Sequence, residues 1–124
     1  MSDVDTIKRR LLNAPWREYT RRSVEAEGGA IELVIRRPPD AILEPLLRDA
    51  KAQRLDDEGA EEKRFEDVLR FRARVVATCV FLPNAVTHLF TPEEAYAWPG
   101  LAEVVDDCMA AIMPAKALEN ARGN

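Results

Sequence analysis

The chain reads as an α+β domain, a small antiparallel β-hairpin packed against about four helices, with the C-terminal two thirds mostly helical. Three patterns predict this. Residues 16–22 and 30–37 alternate with period two on either side of "EGG", as paired strands do. Residues 65–82 carry apolar side chains at steps of three and four, as a helix with a buried face does. A strong helix start at Thr91-Pro92-Glu93-Glu94 and a stop at Pro99-Gly100 then lead into a last amphipathic stretch.

At 124 residues the chain is the size of one domain. Its apolar content of 47% and charged content of 32% belong to a globular chain rather than a disordered one. A formal charge of -4 argues against a dedicated nucleic-acid binder. The charge is uneven: beyond Arg74 only Lys116 and Arg122 are basic, so the last third is acidic. No apolar run approaches the roughly 20 residues that cross a bilayer. The opening "MSDVDTIKRR" lacks the basic-then-apolar order of a signal peptide.

Taken in order, residues Val4 to Leu12 form a short helix capped by Asp3 or Asp5 and ended by Asn13-Ala14-Pro15. In "WREYTRR", Trp16, Glu18 and Thr20 fall on one side and Arg17, Tyr19 and Arg21 on the other. After a turn at Gly28-Gly29, Ile31, Leu33 and Ile35 alternate with Glu32, Val34 and Arg36 in the clearest strand. Pro38-Pro39 stops it, and Asp40 caps a helix with Leu43, Leu46 and Leu47 on one face. Pro45 requires either a bend or a regular helix beginning near Glu44. The charged segment from Arg54 to Lys63 reads as a solvated loop.

The central helix follows, from about Glu62 to Val80 or Leu82. Val68, Phe71, Val75, Cys79 and Leu82 form its stripe, widened by Phe65, Leu69, Val76 and Val80. Arg72 falls within this apolar arc. Its stem either covers apolar surface while its head reaches water, or faces a partner whose carboxylates its fork can bind. Leu89 or Phe90 can staple the helix that starts at Thr91. The last helix, from Leu101, carries Val104, Val105, Cys108 and Ile112 on one face, and Pro114 closes it. The tail, residues 114–124, is expected to fray or add a turn.

Little here points to catalysis. His88 is the only histidine, and Thr87 and Glu93 are unremarkable neighbours for it. Gly28-Gly29 has no phosphate-cradling spacing, and the acids at 56–62 lack the alternation of a calcium loop. Asp106 and Asp107 cannot face one point from a helix. Two cysteines and one histidine have no metal-ligand spacing; Cys79 and Cys108 read as buried thiols of a reducing compartment. The pairs Arg9-Arg10, Arg21-Arg22 and Arg36-Arg37 each have acids nearby, which disfavours a phosphate-binding stripe. Trp16, Tyr19, Tyr96 and Trp98 exceed what short elements need for self-packing; each either serves recognition or simply covers the small core.

The segment "VVATCVFLPNAVTHLFTPEEAYAWPGLAEVVDDCMAAI" resembles the C-terminal half of tail assembly chaperones of long-tailed bacteriophages and prophages. The shared order is an apolar helix, a segment ending in Phe90-Thr91, a short acidic helix and a closing amphipathic helix. Upstream, "LLNAPWREYT" and "IELVIRRPPDAILEPLL" extend the likeness to about residues 10–112. Where that family commonly carries an aspartate and a glycine, this chain has Phe81-Leu82-Pro83-Asn84-Ala85. The resemblance implies a non-enzymatic protein of the host bacterial cytoplasm without a cofactor. Its implied partner is the tape measure protein, a long helical tail protein, with a tail tube subunit as a second candidate and homo-oligomers allowed; nucleic acid and membrane are not expected. The competing expectation is a structural component of a phage-like particle, such as a head–tail adaptor or tail terminator. A small enzyme or regulator would need a polar pocket around His88, Arg72 and nearby acids.

On this reading, an amphipathic client helix enters an exposed groove between the central and last helices. The expected contacts are Phe71, Arg72, Val75, Trp98, Val105 and Ile112.

Overall fold

The computed structural model describes residues 2–55 and 61–113. Its elements are α1 (Ser2–Leu12), β1 (Arg17–Ala26), β2 (Gly29–Arg37), α2 (Asp40–Leu55), α3 (Glu61–Cys79), β3 (Val80–Phe81), α4 (Pro92–Ala97) and α5 (Leu101–Ile112). The α+β class holds, with a third strand added to the hairpin and five helices among the described residues. The ends of the expected charged loop are helical instead, Arg54 and Leu55 in α2 and Glu61 to Lys63 in α3, while residues 56–60 and the tail from Pro114 lie outside the described residues.

β1 and β2 are antiparallel and close through a two-residue turn at Glu27-Gly28, with Ala26 opposite Gly29. Both glycines have positive φ (93° and 130°), a region open to glycine and strained for a side chain with a Cβ. A bulge at Tyr19 changes the expected alternation of β1. Glu18 pairs with Arg36 but Thr20 pairs with Ile35, so Thr20 lies on the opposite face from Glu18. From Thr20 onward β1 follows β2 without a break, and Arg22, Val24, Leu33 and Ile35 share one face.

The central helix ends earlier than its periodicity predicts. Val80 and Phe81 leave α3 as a short strand paired with Ile35 and Val34. Leu82, expected on the helical stripe, is exposed, as is Phe65 at the other end. A β-turn follows, closed by the Ala85 amide donating to the Leu82 carbonyl at 3.1 Å. Pro83 and Asn84 occupy its centre, and Asn84 takes φ 67°, the conformation a type II turn requires there.

α3 packs against α2, α4, α5 and β2, so its second half is covered on several sides. Phe71, Ala73, Val75, Val76, Ala77 and Cys79 are all buried. The alanines let neighbours approach on faces that an apolar stripe of large residues does not mark. α2 runs through Pro45 as one helix, held to α3 by the pair Arg74–Asp49. α5 lies on the Leu33/Ile35 face of the sheet and against α3. Two arginines fasten it: Arg22 donates to Asp107 (2.9 and 2.5 Å), and Arg37 donates to the Ala111 and Met113 carbonyls (2.8 and 2.5 Å). The latter satisfies carbonyls that every helix C-terminus leaves open.

α4 has the full capping box expected of it. The Glu94 amide donates to Thr91 Oγ1 and the Thr91 amide donates to Glu94 Oε1. Gly100 opens α5 and lets Trp98 fold back, since a Cβ there would sit 2.6 Å from the Trp98 ring.

Candidate functional site

The expected groove between α3 and α5 is closed. Phe71, Val75, Val105 and Ile112 are between 0 and 6% exposed and belong to the main core. The physical reason is size: a chain this small needs its largest apolar faces to close one core. Trp98 is half-buried, packed on that core and against Phe90 with ring centroids 4.8 Å apart. Arg72 is half-buried and makes no hydrogen bond or ion pair among the described residues. The six residues therefore do not form one open surface.

A different group of residues gathers around Trp16. Val34 and Phe81 pair across β2 and β3 on the sheet face away from α5, and both are buried. Trp16 packs edge-on against Phe81 at 5.6 Å and against His88 at 5.3 Å, and Phe81 meets His88 at 4.9 Å. Arg36 completes this cluster. It is 9% exposed, its guanidinium lies 5.6 Å from the Phe81 ring centre, and it donates to the Trp16 carbonyl at 2.8 Å. That bond ties the segment before β1 to the sheet. The Arg36 Nε is buried with no partner among the described residues.

Beside this cluster an open cleft of about 610 Å³ lies between α2, α3 and the segment leading into α4. Trp16, Ile42, Ala77, Leu89, Phe90 and Pro92 give it apolar walls, while Thr78, His88 and Glu94 supply polar groups. Its size suits one or two anchoring side chains of a partner. Ile42 is 39% exposed at its edge. A second cleft of about 410 Å³, between α2, α3 and α4, is more polar. There Arg70 lies 4.5 Å over the Tyr96 ring and pairs with Glu66, and Arg74 is held by Asp49. Both cations are thus engaged within the chain.

The arginine pairs largely stitch the fold together. Arg21 bonds Glu18 and Glu32, and its hydrogen bond holds Glu18 below the usual carboxylate range. Arg22, Arg36 and Arg37 bind as described above. Cys79 and Cys108 are free, buried thiols. The adjacent Cys79 and burial push the Cys108 thiol far above its ordinary value, which keeps it protonated and inert at neutral pH. Among the described residues no group of three His, Cys, Asp or Glu side chains could hold a metal, and no helix is long and apolar enough to cross a membrane.

Of the cleft residues, the sequence marks Trp16 by its aromatic type, and Leu89 and Phe90 as a helix staple. Ile42 gave no signal, because it sits outside the Leu43/Leu46/Leu47 face. The chain matches no family model, no curated protein and no solved structure.

Proposed function

We propose that this protein is a non-enzymatic tail assembly chaperone, keeping segments of a long helical tape measure protein soluble while tail tube subunits assemble around them. The observation that carries the binding role is the apolar cleft edged by Ile42 and walled by Trp16, Leu89 and Phe90. An amphipathic client helix docks by inserting spaced apolar anchors into such a groove. Glu94 at the cleft and the acidic last third of the chain favour basic client segments. The choice of client rests on the resemblance of residues 75–112 to the chaperone family. The host cytoplasm is the compartment that this role requires.

Co-expression with a phage tape measure protein, followed by size-exclusion chromatography with light scattering, tests the proposal. The expected result is co-elution, with the client insoluble when expressed alone. Ile42→Asp, at an exposed position, is expected to lower client retention about tenfold while the fold persists. A client that ignores this chain, which itself forms rings or tubes, would instead indicate a structural particle component.

A further inference from the structure

We infer that α1 is a self-association helix, pairing antiparallel with α1 of a second copy. The inference is independent of the chaperone reading.

Every side chain from Asp3 to Leu12 is exposed, and α1 packs extensively on no other described element of its own chain. Val4, Ile7 and Leu11 are 64, 55 and 72% exposed and follow steps of three and four. They form an apolar seam, and with Lys8 and the exposed Leu12 they border a shallow, almost wholly apolar depression. A helix of 11 residues is marginal in water by itself, so its stability calls for a packed neighbour. A strict three-four seam suits one facing helix rather than a broad core.

Charge identifies that helix as a second α1, running the other way. Asp3 and Asp5 lie in its first turn, and Arg9 and Arg10 in its last. Asp3 and Arg10 flank the same side of the seam, about two turns apart. A two-fold axis near Ile7 sets Ile7 against its own copy and Val4 against Leu11. It also sets Asp3 of each helix beside Arg10 of the other. The helix dipoles then oppose, which is favourable. A parallel pair would crowd Lys8, Arg9 and Arg10 of both copies at one end, aligned with parallel dipoles. The antiparallel contact is isologous and closes at two copies. It buries on the order of 600–800 Å² over both copies, below the scale of a standard interface, so dissociation in the high-micromolar range is expected.

Sedimentation velocity on the full chain, from roughly 1 to 500 µM, gives the test. A concentration-dependent monomer–dimer equilibrium is expected, and Ile7→Glu should weaken it tenfold or more without altering the circular dichroism of the core. Orientation is read by oxidation of variants with one added surface cysteine, since the native Cys79 and Cys108 are buried. A mixture of Val4→Cys and Leu11→Cys should form the mixed disulfide in preference to either homodimer. Asp3→Arg should weaken the dimer, and Asp3→Arg with Arg10→Asp should restore it. A monomer at every concentration would overturn the inference, as would a dimer indifferent to Ile7→Glu. Val4→Cys linking to itself as fast as to Leu11→Cys would overturn the antiparallel arrangement.

Discussion

α1 and α5 have 11 and 12 residues and both carry an apolar stripe, yet only α5 is covered by its own chain. α5 buries Val104, Val105, Cys108, Ala111 and Ile112 between the sheet and α3. α1 exposes Val4, Ile7 and Leu11. The width of the stripe separates the two cases. α5 offers adjacent residues, Val104 with Val105 and Ala111 with Ile112, and so presents a broad face that two neighbours can share. α1 offers one line, Val4, Ile7 and Leu11, widened only at its end by Leu12 and bordered by Asp3, Lys8 and Arg10, and one helix is enough to cover it. Arg22 and Arg37 then fasten α5 by paired hydrogen bonds at two points, whereas among the described residues no side-chain hydrogen bond ties α1 to the body. An apolar helical face states that cover is needed; its width and flanking charge say what kind.

The sharpest way to break this contrast is to truncate the α5 stripe. Ile112 is 2% exposed, at the end of α5 where Arg37 closes the sheet. Ile112→Ala is expected to destabilise the fold by about 3 kcal/mol, through lost burial and the cavity left behind. Urea denaturation followed by circular dichroism measures it. A loss below about 1 kcal/mol would mean that α5 does not close the core.

Much of this arrangement is legible from residue order. The hairpin, α3, the boxed start of α4 and the α5 stripe all follow from spacing and capping within a few residues of chain. What escapes is whatever depends on distant chain. The Tyr19 bulge changes which face Thr20 joins, and no local residue announces it. Val80 and Phe81 continue the spacing of α3, so only pairing with Ile35 and Val34 reveals them as a strand. For the site, the residues with the strongest apolar pattern, Phe71, Val75, Val105 and Ile112, are those the core absorbs first. Pattern strength reports burial, and burial by the same chain removes a residue from recognition. Surfaces left for partners are built from residues at the margins, such as Ile42 beside its helix's main face and Ile7 on a thin stripe.

A second test uses the contact between the two covered helices, where Cys79 of α3 meets Cys108 of α5. The neighbouring thiol and burial raise Cys108 above the ordinary 9.0. The folded state therefore keeps the proton where the unfolded chain begins to release it. That contribution is intact below pH 9.0 and is lost as the pH climbs above it. Stability should fall by up to about 1.4 kcal/mol per pH unit in that range from this group. Cys108→Ala costs stability at every pH but should flatten the slope above pH 9 relative to the parent. Equal slopes in denaturation curves from pH 8 to pH 10.5 would place Cys108 in a more solvated position than the packing of α5 on α3 gives it.

The smallest effect on folding is expected from α1. Ile7→Ala removes a side chain that is 55% exposed and touches no core residue, so no cavity forms. Alanine also has the higher helix propensity, by a few tenths of a kcal/mol. In dilute solution, where the chain is monomeric, the variant should unfold within about 0.5 kcal/mol of the parent. At concentrations where the parent dimerises, the parent alone should gain thermal stability, because binding stabilises whatever it selects. The comparison therefore turns on concentration: thermal melts of both proteins should coincide when dilute and separate when concentrated. Melts separated by the same interval at every concentration would mean that Ile7 already packs within its own chain, and that α1 and α5 are covered in the same way.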